Sequence, residues 1–236
     1  MALIAVVLGL LLVGLLAQAP IEQFAAYHDL GDQRTVLGIP HFWNVATNVP
    51  FLVVGVMGLD LLRRRPAGAS AAWIAVFAGT ALVFFGSSYY HLRPSDATLV
   101  WDRLPIGAAF MGFFCALIGE HTKVNGDRWL APLILFSIGT VYWWRFTGDL
   151  SLWVWVQLAP MLAAVLVFFL PARYSHRQYL LYALACYVLA KLAELGDRQL
   201  MECSAGALSG HSLKHLLAAA GVLCFYVMLR RRKAIR

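Results

Sequence analysis

Long apolar runs separated by short polar breaks organise this chain. The runs cover residues 2–17, 42–62, 71–91, 103–120, 129–146, 150–170, 178–195 and 211–229. The last seven are each close to the roughly 20 residues that a membrane-spanning helix needs. Breaks fall at Arg63-Arg64-Arg65-Pro66, Arg93-Pro94-Ser95-Asp96, Asn125-Gly126-Asp127, Thr147-Gly148-Asp149 and Pro171. These are turn-forming or charged and too short to hold a separate domain. The pattern predicts an all-α, polytopic membrane protein. Its parts are a hydrophobic N-terminal helix over 1–19, an outer loop segment over 20–41, and a seven-helix membrane domain over 42–236. Ala17-Gln18-Ala19 has the form of a signal cleavage site. Met1-Ala2-Leu3-Ile4 lacks a basic leader, however, and Pro20 would follow the cut, so 1–19 is read as an extra span or uncleaved signal.

Composition sharpens this picture. Hydrophobic residues make up 61% and charged residues 13% of the 236, against roughly 45–50% and about 25% in soluble domains. The net charge of +7 raises the question of nucleic acid. Its placement answers it: Arg63-Arg64-Arg65, Arg173, Arg177 and the tail Arg230–Arg236 all follow apolar runs. That is the pattern of cytoplasmic loops facing anionic lipid, and no soluble basic domain exists to bind nucleic acid. The opposite loops hold Arg93, Arg145 and Arg198, with Arg103 at a span entrance. The C-terminus is therefore predicted cytoplasmic and the acidic segment Glu22–Asp32 external. Cys115, Cys186, Cys203 and Cys224 show no C-x-x-C spacing, so neither a disulfide framework nor a redox compartment follows from them.

Candidate chemistry gathers at one depth. His91 ends an outward-going run, Asp102 precedes an inward-going one, and His211 and His215 open the last inward-going run. Histidines four apart on a helix share a face. Ionisable groups inside spans are costly and by default suggest function. The set predicts zinc held by His91, His211 and His215, with a fourth tetrahedral position open to water. Asp102 is the candidate proton acceptor. Ser87, one turn before His91, could steady an oxyanion. Together these residues predict an intramembrane zinc hydrolase. Each piece alone has a plainer explanation: a chance H-x-x-x-H, small packing residues at Ser87 and Ser88, or an aspartate favouring a helix start. Their common depth argues for one shared site.

Other polar residues are read as follows. His28 and His41, with Asp29 and Asp32, are candidates for a second metal. His121 and His176 are placed in solvated cytoplasmic loops. Lys191, Glu194, Asp197 and Arg198 form a charged cluster, with Lys191 and Glu194 one turn apart and Glu194 and Arg198 at i, i+4, so structural pairing is expected of it. Trp143, Trp144, Trp153 and Trp155 fit either an interfacial aromatic belt or a lipid pocket.

Three blocks resemble the alkaline ceramidase family, part of a seven-span hydrolase superfamily that also includes adiponectin/progestin receptors and hemolysin-III-like proteins. Phe42-Trp43-Asn44-Val45-Ala46-Thr47-Asn48 is similar to its F-W-N-x-x-S/T-N. Gly86-Ser87-Ser88-Tyr89-Tyr90-His91, then Asp102-Arg103-Leu104-Pro105, resembles G-S-x-x-x-H followed by D-E-L-P. His211-Ser212-Leu213-Lys214-His215 resembles its H-x-x-x-H, and a weaker match runs through Asp197 and Cys203. The resemblance implies hydrolysis of the ceramide amide to a sphingoid base and a fatty acid. It places zinc on His91, His211 and His215, with Asp102 and Ser87 catalytic. The chain departs from the family in two places. His41 stands where calcium-binding members have a glutamate, which weighs against calcium. Arg103 replaces the glutamate of D-E-L-P and could draw an anionic headgroup, which puts the substrate in question more than the reaction type. The implied partners are an N-acyl lipid substrate and membrane lipid, and no oligomeric state follows. A receptor-like or structural bundle with a non-catalytic zinc, and a transporter built on the Lys191 cluster, are the competing classes.

Overall fold

A computed structural model describes residues 2–24, 26–65 and 70–235. Met1 of the N-terminal helix, Pro66 of the arginine break and Arg236 of the tail lie outside the described residues. The elements in order are α1 (Ala2–Ala17), α2 (Phe42–Ala46), α3 (Val49–Arg64), α4 (Ala71–Leu92) and α5 (Asp96–His121). There follow α6 (Asp127–Thr147), α7 (Ser151–Leu166, prolonged by a 3₁₀ turn at Val167–Phe169), α8 (Gln178–Leu195), α9 (Asp197–Cys203) and α10 (Gly210–Arg231). The described residues form only isolated β-bridges, among them Glu22 with Asp149.

Among the described residues, six segments are long and apolar enough to cross a membrane: Phe42–Arg64, Ala71–Leu92, Asp96–His121, Ser151–Phe169, Gln178–Leu195 and Gly210–Arg231. The chain is thus a multi-pass helical membrane protein. The expected seven-span core is reduced by one on this measure. At 21 residues α6 is long enough, but Trp129, Tyr142, Trp143, Trp144 and Arg145 make it less apolar than its neighbours. Large side chains such as Val53, Ile74, Leu82, Phe85, Leu135 and Leu192 point outward, as lipid-facing positions should.

Local chemistry sets the helix ends. The hydroxyls of Ser70, Ser95 and Ser209 accept the backbone N–H of Trp73, Thr98 and Ser212, capping α4, α5 and α10. Each satisfies one of the donors that a helix start leaves free. Pro50 cannot donate to the Ala46 carbonyl. The span therefore breaks between α2 and α3, and the chain tightens there through Asn48 N–H to Val45 O at 3.2 Å.

Helices α3, α4, α5, α7, α8 and α10 surround a central cavity, while α6 packs outside on α5 and α7, and α1 on α7. Neither α1 nor α6 meets the spanning criterion, and neither lines the cavity. Ile4 and Leu8 of α1 are buried, and the Trp155 indole donates to the Leu8 carbonyl at 3.1 Å. Cys115 is buried, and Cys203 closes α9 where a loop was expected.

Candidate metal centre and lipid cavity

The α4–α5 pair sets the first half of the site. Pro105 inside α5 leaves the Trp101 carbonyl without its helical donor. Gly86 lies against that carbonyl, where a Cβ would sit 2.1 Å from the oxygen. Only a bare backbone allows this approach, and it brings Ser87 of α4 beside Asp102 of α5. Ser87 and Asp102 are both buried and line the same cavity. Asp102 lies well inside α5, so it does not serve as a helix cap.

The second half is the start of α10. A Cβ on Gly210 would stand 2.0 Å from the Ala193 carbonyl, so glycine lets α10 begin tight against α8. Asp197 then ties three segments together. Its carboxyl accepts the His211 N–H and the Gly31 N–H, both at 2.7 Å.

These two halves bring His91, His211 and His215 together. All three are buried, and each offers a ligand atom within 4.8 Å of the others. Their ring centroids form a near-equilateral triangle of 4.8, 4.9 and 5.0 Å. The Nε2 atoms of His91 and His215 are 3.3 Å apart. Two imidazole nitrogens at about 2.0–2.1 Å from one tetrahedral ion stand about 3.3–3.4 Å apart, so this edge already has the right length.

The fit extends to the tautomer of His215. The Thr47 hydroxyl donates its one proton to the Trp43 carbonyl at 2.6 Å. It can only accept from His215 Nδ1, 3.0 Å away. That holds the proton on Nδ1 and leaves the Nε2 lone pair facing the other histidines, the arrangement a metal ligand needs. Buried His91 Nδ1 has no partner. Lys214 stands 3.3 Å from His211 Nε2, with Glu194 bound to its ammonium at 2.7 Å. An ion taken at that nitrogen would displace the lysine. The three residues can hold a metal ion.

A cavity of about 210 Å³ opens from this end into the bundle. Its polar end has Ser87, Asp102, Arg103, Lys214 and His215. Its far end is apolar, with Val76, Phe113, Leu180 and Phe225. From Asp102 to Phe113 along α5 is about 16 Å at the helical rise. The cavity is thus a slot with polar groups at one end and hydrocarbon at the other.

Several polar residues behave differently from expectation. Glu194 pairs with Lys191 at 2.9 Å as expected, but its second partner is Lys214 and not Arg198, which pairs with Asp29. The loop over the site supplies a charge that helix spacing could not reveal. His28, His41, Asp29 and Asp32 do not converge on a second metal. His28 contacts Tyr90 at 3.0 Å and Asp96 at 3.1 Å. His41 contacts the Asp32 carbonyl at 2.9 Å, and the buried Asp32 carboxyl takes Arg34 at 2.6 Å. His121 is the half-buried end of α5, 3.1 Å from the Leu117 carbonyl. His176 is half-buried too, held by Ser175 at 2.7 Å. Of the four tryptophans, Trp144 and Trp153 are buried around Arg103 and Trp155 binds α1, while Trp143 is exposed. The positioning roles of Thr47 and Asp197 depend on partners distant in sequence, His215 for Thr47 and Gly31 for Asp197, and no spacing signals them.

Fold and site together define a multi-pass helical membrane protein with a buried three-histidine centre at the head of an apolar slot. In comparisons with known proteins, no family model matches the chain and no curated protein matches it. The likeness to alkaline ceramidases therefore rests on the motif residues alone.

Proposed function

We propose that this chain is an intramembrane zinc-dependent amide hydrolase. It would cleave ceramide, or a related long-chain N-acyl lipid, to a sphingoid base or other amine and a free fatty acid. One observation carries this: the three-histidine centre, Ser87 and Asp102 meet at the polar head of a slot that runs about 16 Å along α5 from Asp102 to an apolar end at Phe113. A structural metal site would not need that slot.

Zinc held by His91, His211 and His215 would supply Lewis acidity toward a carbonyl oxygen. The apolar walls hold the acyl chain, exclude water from its length and fix the amide at the polar end. Asp102 Oδ1, buried and unpartnered, takes a proton from the attacking water. It returns that proton to the departing amine nitrogen. The Ser87 hydroxyl donates toward the oxygen on which charge builds. In balance, amide and water give a carboxylate and a protonated amine. The arginine-rich loops support a cytoplasmic tail and a site toward the outer face.

The test uses purified, zinc-loaded protein in detergent with a panel of long-chain N-acyl lipids headed by ceramide. Fatty acid and amine are quantified by mass spectrometry, with His215→Ala alongside and zinc measured in both. Wild-type protein should release both products in equal amounts, and the variant should lose zinc and turnover together. Zinc-loaded wild type that cleaves no member of the panel overturns the proposal.

A further inference from the structure

Arg103 is the one cation at the head of the slot without an anionic partner among the described residues. Lys191 and Lys214 are both spent on Glu194. Arg103 has no carboxylate within salt-bridge distance. It is only 4% exposed, lies next to Asp102 in sequence, and lines the same cavity. A cage holds it: its guanidinium carbon is 3.8 Å from the Trp144 ring centre, 5.6 Å from Trp153 and 5.9 Å from Tyr27. Nη2 donates to Gln23 Oε1 of the outer loop at 2.6 Å. Nη1 is buried and has no partner. The aromatic faces and Gln23 fix the plane of the guanidinium, so the free Nη1 is a preorganised donor. Burying an unpaired cation is costly unless something meets it. The balance at the slot head is also positive: Arg103, Lys191 and Lys214 face Asp102 and Glu194.

We propose that Arg103 binds the carboxylate of an acidic headgroup, so that the substrates are N-acyl amino acids rather than neutral N-acyl lipids. This rests on the amide-hydrolase proposal and narrows its substrate class. One free guanidinium arm suits a singly charged carboxylate; a phosphate dianion would call for more free cations than the site has. The carboxylate sits one carbon from the amide nitrogen, which matches Arg103 adjoining Asp102 on α5. In the reaction, R–CO–NH–CHR′–COO⁻ and water give R–COO⁻ and ⁺H₃N–CHR′–COO⁻. The acyl–nitrogen bond breaks, water supplies the new carboxylate oxygen, and its protons end on the amine.

The experiment compares N-palmitoylglycine with N-palmitoylglycinamide, which replaces only the carboxylate by a neutral amide of the same size. Wild-type protein should favour the acid by about 10–100-fold in kcat/KM, the usual worth of a charge-assisted hydrogen bond. Arg103→Gln should collapse that ratio toward one, with KM for the acid rising most. The same ratio is read without chemistry, as binding to chelator-treated protein followed by tryptophan fluorescence. No preference for the acid in wild type, or equal losses on both lipids in the variant, overturns the headgroup site. Palmitate bound as tightly as N-palmitoylglycine would assign Arg103 to the product carboxylate and also overturn it. Neither lipid cleaved, with the Arg103-dependent binding preference intact, would instead sink the hydrolase proposal and leave the headgroup site standing. The wild-type comparison needs no variant, so misfolding of Arg103→Gln cannot shield the idea.

Discussion

The two ends of the bundle treat polar groups in opposite ways. At the end where the arginine-rich loops lie, charges are consumed by structure. Glu120 accepts the Trp73 indole at 2.7 Å and pairs with Arg232. Asp127 accepts the first N–H groups of α4, from Ala71 at 3.2 Å and Ala72 at 3.0 Å. Asp60 holds Arg63 and Arg64 at 3.0 and 2.7 Å. Below them Trp73, Phe77, Phe113 and Phe225 pack together. At the histidine end, buried polar atoms keep open valences: His91 Nδ1, Asp102 Oδ1, Arg103 Nη1 and Ser88 Oγ have no partner. Native proteins rarely leave such atoms unpaired without a use for them. One end is built for stability, and the other holds groups in readiness for a ligand.

The contrast can be broken by substitution, starting from the largest effect. Asp102→Asn should keep its zinc and lose about 10²- to 10⁴-fold in turnover, the usual size of acid–base catalysis. Full rate, or loss of the metal, would remove Asp102 from the proposed role. Thr47→Val should weaken metal affinity by about 10–100-fold, as loss of an outer-shell partner does. Competition with a chelator reads this, and Thr47→Ser should restore it; unchanged affinity in Thr47→Val would discard the tautomer argument. Glu120→Gln, at the other end, should cost about 1–3 kcal/mol of stability while zinc content and rate stay as they were. A thermal midpoint equal to wild type would show that the Arg232 pair contributes nothing.

The smallest effect concerns the clamp that ties the outer loop to the α6–α7 turn. Burial pushes the Asp149 carboxyl up, but hydrogen bonds from Ser151, Ile21 and Trp143 outweigh it and hold the group below its ordinary 3.8. A depressed folded pKa stabilises fully above the unfolded value and is lost as pH falls through the folded one. The contribution should therefore be complete above about pH 4 and fade as pH falls below it. Asp149→Asn should flatten that acid limb of the thermal midpoint; parallel curves for the two proteins would refute it.

Much of this was legible in the chain. Apolar runs foretold six spanning helices, most ends to within a few residues but the start of α5 seven residues late, because a bilayer demands long apolar helices. The alternation of spans foretold that His91, Asp102, His211 and His215 share a depth. Besides the span assigned to α6, much of what sequence reasoning misjudged involved the segment over 20–41, where no periodicity applies. Its Gln23, Asp29 and Gly31 bond to Arg103, Arg198 and Asp197, and these partners are distant in sequence.

The sequence by itself thus determined class, span order and the depth of the candidate ligands, since each follows from hydrophobic length and connection. Only the tertiary structure decided which faces meet. The contact of Gly86 with the Trp101 carbonyl and of Gly210 with the Ala193 carbonyl fixes how far the helices approach and rotate. That rotation puts three imidazoles on one centre, leaves Arg103 in an aromatic cage with one arm free, and keeps α6 off the cavity. Depth depends on a single helix and the membrane, whereas azimuth depends on the packing of every neighbour at once.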